Sequence, residues 1–88
     1  MPEVKKHSSH PRITTRLKRA NGHLAAVISM IDEGRPCNEI AQQLHAVEKA
    51  VTNAKRALIH DHIDHCLEPG EDGKIVDTKS FKDITRYL

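Results

Sequence analysis

Residues 37–66 read CNEIAQQLHAVEKAVTNAKRALIHDHIDHC, and their apolar spacing decides the fold. Ile40, Leu44, Val47, Val51, Ala54 and Leu58 recur at alternating steps of four and three. That period puts them along one face of a helix, whereas a strand would need alternation by two. A further step of four reaches His62 and another reaches Cys66. The seam therefore ends in a histidine and a cysteine one helical turn apart. The pattern predicts a helix starting near Cys37 or Asn38 and running about 29 residues, or roughly 43 Å at the usual rise.

Upstream, Gly34 stops a preceding helix and Pro36 prevents its continuation. That earlier helix opens at His10-Pro11, where proline is tolerated in the first turn. Its seam is Ile13, Leu17, Ala20, Leu24, Val27 and Ile31, again at steps of four and three. Downstream, Pro69-Gly70 and Asp72-Gly73 mark a loop between Leu67 and Val76. Asp77 is placed to cap a short last helix over Thr78–Tyr87, with Phe81, Ile84 and Leu88 as its apolar contacts. Residues 1–9 read as a polar, flexible arm, and residues 10–88 as a single helical domain. Neither long seam is covered by one short partner helix. The expected fold is all-α: a three-helix protomer that pairs into an antiparallel four-helix-bundle dimer. A monomeric hairpin would leave too much apolar surface in water.

An 88-residue chain with two aromatic residues builds a thin core and relies on oligomerisation or metal for support. There is no apolar run of membrane length and no signal peptide, and the two cysteines are far apart in sequence. These features point to a reducing cytoplasm, no membrane, and thiols that act as ligands or nucleophiles and not as a disulfide. Charge is asymmetric. Residues 1–20 carry Lys5, Lys6, Arg12, Arg16, Lys18 and Arg19 against Glu3, while residues 61–77 carry six acidic groups against Lys74. A polyanion-binding end and a separate regulatory end would produce this, as would two solvated helix faces. Arg12, Arg16 and Arg19 fall on one helix face, as a duplex-DNA contact requires. No nucleophile–base pair or phosphate loop marks an enzyme.

Cys37, His62 and Cys66 are the candidate metal ligands. A lone cysteine is usually a small hydrophobe and a lone histidine a polar surface group. Together at a seam's end, with a third soft donor in the chain, His62 and Cys66 read as ligands. Cys37 opens a helix, where unpaired N–H groups favour a thiolate. It reaches His62 only from the far end of a long helix or from a second chain. His7 and His10 lie on or beside the arm and are candidates for a further nitrogen ligand. His60, His65, His23 and His45 read as structural or incidental. Three ligands suit Cu(I), while four of S₂N₂ type suit Ni(II), Co(II) or Zn(II).

The stretches Arg16-Leu17-Lys18-Arg19-Ala20-Asn21-Gly22-His23, Arg35-Pro36-Cys37, Gln42-Gln43-Leu44-His45-Ala46-Val47 and Asp61-His62-Ile63-Asp64-His65-Cys66 resemble the CsoR/RcnR family of bacterial metal-responsive repressors. The resemblance covers nearly the whole chain. It implies a helical dimer of hairpins, usually paired into a tetramer, in which Cys37 of one protomer meets His62 and Cys66 of another. It also implies a repressor whose apo form binds operator DNA through basic helical faces, with Arg16, Arg19 and Lys49 at basic positions of the family. Arg12 and Lys18 complete the candidate DNA-binding set. Copper sensors of the family resemble one another in a Tyr before the first Cys and a Glu in the last helix. Here Pro36 and, by simple spacing, Lys82 stand there, and the Arg-Pro-Cys turn and His-bearing arm look like nickel- and cobalt-responsive, DmeR-like members. Ni(II) or Co(II) is therefore the expected effector, with Cu(I) as the alternative. A thiol-reactive sensor and a metal-storage protein without a DNA role are more distant rivals.

Overall fold

The computed structural model describes residues 10–67 and 78–88, apart from the side chains of residues 65–67. The described residues form three helices and no strand: α1 (His10–Asp32), α2 (Cys37–Leu67) and α3 (Thr78–Thr85). The expected arm, the loop after Leu67 and the Asp77 cap lie outside the described residues. The second helix spans 31 residues and ends at Leu67, one residue past Cys66, close to the length its seam predicts. The third ends two residues earlier than expected. There the backbone tightens to i→i+3 bonds, with Tyr87 N–H donating to Ile84 O and Leu88 N–H to Thr85 O.

The turn between α1 and α2 follows from Gly34. Its φ of 71° lies in the left-handed region, where a side chain is disfavoured. Arg35 N–H reaches back to Met30 O at 3.0 Å and Gly34 N–H to Ile31 O at 3.1 Å, the pattern of a Schellman stop. Pro36 then opens α2. Its carbonyl accepts from Glu39 N–H at 3.0 Å and Ile40 N–H at 3.1 Å. Arg35 and Glu39 pair across the first turn at 2.9 Å, both half-exposed.

α1 and α2 pack together as a hairpin, and α3 packs on α2 without touching α1. The core of the hairpin is half of what the two seams offer. Ile13, Ala20, Val27, Val47 and Ala54, each seven residues from the next on its helix, are 1–7 % exposed. The intervening Leu17, Leu24 and Ile31 on α1, and Leu44, Val51 and Leu58 on α2, are 38–55 % exposed. Toward the end of α2 the buried face rotates, and Ile59 takes over at 2 %.

Candidate metal centre and basic face

Cys37 is the first residue of α2, and its free thiol is exposed. His62 sits on the same helix 25 positions later, about 38 Å away at 1.5 Å per residue. Position 66 follows one turn further on, and the Cys66 side chain lies outside the described residues. Within one chain, Cys37 and His62 therefore cannot share an ion. No group of three His, Cys, Asp or Glu side chains converges among the described residues.

His62 is half-buried where α3 meets α2. Its Nε2 lies 2.5 Å from Ser80 Oγ. An open pocket of about 460 Å³ beside it is lined by Ser80, Asp83, Ile84, Arg86 and Tyr87 of the last segment. Positions 80, 83, 84 and 87 recur at helical spacing, so one face of this segment is turned to the histidine. Lys82 is exposed, and the polar residues that share the pocket with His62 are Ser80, Asp83, Arg86 and Tyr87. The sequence offered no signal for Ser80, because it meets His62 from eighteen positions away and no local pattern links the two.

His10 begins α1 and borders a pocket of about 600 Å³ together with Leu17, Lys18 and Leu58. The antiparallel hairpin thus brings the start of α1 beside α2 one turn before His62. His7 lies outside the described residues.

The basic candidates divide into two groups. Arg12, Arg16 and Arg19 line one open groove of about 320 Å³ along α1. Arg16 and Arg19 also border a smaller pocket with Ala20, His23 and Ala50. Lys18 faces elsewhere, in the pocket with Leu17 and Leu58 at the edge of the open apolar face. Lys49 is exposed on α2, next in sequence to Ala50. His23, read from sequence as structural and partnerless, is held by α2: its Nε2–H donates to Gln43 Oε1 at 2.6 Å.

A helical hairpin with a half-exposed apolar seam, Cys37 and His62 far apart on one helix and a row of guanidiniums on the other defines a class of small all-helical modules. The chain belongs to the metal-sensitive transcriptional repressor family, whose profile matches residues 9–87. That family consists of repressors and not of enzymes. The chain is similar to the copper-sensing transcriptional repressor CsoR of Bacillus subtilis, 38 % identical over 56 residues, covering 64 % of this chain and 55 % of that protein. It is similar to CsoR of Mycobacterium ulcerans, 37 % identical over 52 residues, covering 59 % and 44 %. RicR of Mycobacterium tuberculosis, also named as a copper-sensing repressor, is 29 % identical over 72 residues, covering 74 % and 75 %. The chain spans about half the length of the two CsoR relatives. No solved structure matches it. Among the described residues, no helix is long and apolar enough to cross a membrane.

Proposed function

We propose that this protein is a metal-responsive transcriptional repressor of the cytoplasm that binds operator DNA as a metal-free homo-oligomer and releases it on binding Cu(I). The observation that carries the reading is the register of the open half-seam. In an antiparallel pair of α2 helices centred on Val51, Leu44 of one copy meets Leu58 of the other. The same register sets Cys37 opposite position 65, flanked by His62 and Cys66 of the second copy. The apolar residues left exposed by the hairpin and the donors separated along α2 thus call for the same partner. Two such hairpins make a four-helix bundle, and the family resemblance extends this to a dimer of dimers.

The donor set fits a soft ion. Two thiolates and one imidazole suit trigonal Cu(I), which supplies a cross-link between copies when bound. The Ser80 hydroxyl beside His62 Nε2 helps hold the imidazole ring in place at the end of α2. The start of α2 in one copy and its end in the other are then tied together. α1 packs on α2 through small residues, so its arginines move as part of the hairpin. Coupling of about 1–3 kcal/mol between sites, or about 5- to 150-fold in affinity, is enough to vacate an operator.

Copper takes precedence over nickel and cobalt because the similar proteins are named as copper sensors. One observation favours the Ni(II) or Co(II) reading. His10 starts α1 beside Leu58, so an arm reaching back from it begins at the ligand end of α2, where His7 or His10 would supply a fourth donor.

Anaerobic titration against a chromophoric Cu(I) chelator, paired with DNA-release measurements for Cu(I) and Ni(II), separates the two readings. Cu(I) is expected to bind at one ion per protomer and to release DNA, with His10→Ala unchanged. Release by Ni(II) alone, with a planar d–d spectrum lost in His10→Ala, would establish the second reading instead.

A further inference from the structure

We propose that the pocket between α1 and α2 bordered by Arg16, Arg19 and His23 is a binding subsite for one backbone phosphate of duplex DNA, and that His23 is its third donor, set in place by Gln43. This rests on the DNA-binding reading above and adds a residue and a proton to it.

The subsite has three parts. Positions 16, 19, 20 and 23 lie within one narrow sector of α1. Across the groove, Gln43, Val47 and Ala50 recur at the same helical spacing on α2. The small side chains of Ala20 and Ala50 form the floor, and the pocket measures about 200 Å³. A water's share of liquid volume being about 30 Å³, that space admits a phosphate group. Arg16, Arg19 and His23 are the polar residues that border it. The groove occupied by Arg12, Arg16 and Arg19 continues it along α1, so a phosphate chain tracking the helix meets both.

His23 is the part not explained by a solvated face. It is half-buried, and its Nε2–H donates across the hairpin to Gln43 Oε1 at 2.6 Å. With Nε2 so engaged, the ring donates to a phosphate oxygen only through Nδ1, and it donates through both nitrogens only as the imidazolium. Engaging the phosphate therefore takes up one proton per occupied subsite. The charged groups facing His23 here are Arg16 and Arg19 of α1. The α2 side presents Gln43 and Ala50, neither of which titrates.

The test uses the full-length metal-free protein and a labelled random-sequence duplex of about 40 base pairs, because phosphate contacts do not read sequence. The native protein is expected to bind several-fold more tightly at about pH 6 than at about pH 8. Its slope of log K against log salt should be steeper at the lower pH by about 0.9 for each phosphate engaged. His23→Gln keeps a side chain able to bond Gln43 and should bind with no pH response and the shallower slope at both values. His45→Gln, an exposed histidine elsewhere on α2, should retain the native response. A native pH response in a folded His23→Gln, or none in the native protein, overturns the proposal. An Arg16→Ala, Arg19→Ala double variant that binds DNA with native affinity and slope would instead overturn the underlying assignment of the DNA face.

Discussion

The two ladders of the heptad seam have opposite fates. Ile13, Ala20, Val27, Val47 and Ala54 close on one another inside the hairpin, while Leu17, Leu24, Ile31, Leu44, Val51 and Leu58 remain half in water. Residue size separates them. Two of the five closed positions are alanine and two are valine, which lets α1 and α2 approach closely. Four of the six open positions are leucine and one is isoleucine, so most of the available apolar free energy lies on the face the hairpin leaves uncovered. The closed ladder fixes geometry within one chain, and the open one supplies stability only when a second chain arrives.

The sharpest way to break that contrast is a charge on the open ladder. Val51→Asp places a carboxylate at the centre of the proposed α2 pair, and symmetry places two of them together. Desolvating unpaired carboxylates costs at least several kcal/mol. The variant is expected to sediment as a monomer and to lose both DNA binding and tight metal binding. A native chain that is itself monomeric at micromolar concentration would remove the distinction between the ladders.

A second experiment sharpens the contrast by asking whether the metal centre is shared. Cys37→Ala and Cys66→Ala should each abolish tight Cu(I) binding, Cys37→Ala leaving metal-free DNA binding intact. When the two variants are mixed and allowed to exchange subunits, a heterodimer regains one complete site, built from Cys37 of one chain and His62 and Cys66 of the other. Chelator competition should then recover up to about a quarter of native capacity, since half of randomly formed dimers are mixed and each holds one of two sites. No recovery on mixing, with subunit exchange verified by a labelled chain, would overturn the assignment of Cys37, His62 and Cys66 to one shared site.

Both seams, the Gly34 stop and the His62–Cys66 spacing were legible in the sequence, because each rests on local periodicity or backbone chemistry that neighbouring residues determine. Which half of each seam the hairpin closes was not. A heptad pattern marks a face as apolar but does not say whether a chain's own second helix or another copy covers it. His23 and Ser80 were missed for a related reason. His23 finds Gln43 twenty positions away, and Ser80 finds His62 eighteen positions away.

The smallest expected effects come from two glycines outside both ladders. A Cβ added at Gly22 or at Gly34 meets nothing within 4 Å, so neither substitution changes packing in the hairpin. The backbone alone separates them. Gly34 holds a φ of 71° in the turn that sets the register of α1 against α2, and alanine there is strained by about 1 kcal/mol. Gly22 lies inside α1 with ordinary helical geometry, where alanine is favoured by about 1 kcal/mol. At fixed protein concentration, Gly34→Ala should therefore lower Tm by about 4–8 °C and Gly22→Ala raise it by a similar amount. Both variants should keep native oligomeric state and metal affinity, because the ladders are intact in each. A loss of oligomer in Gly34→Ala would mean that the turn controls which ladder faces outward, and not merely how firmly the hairpin closes.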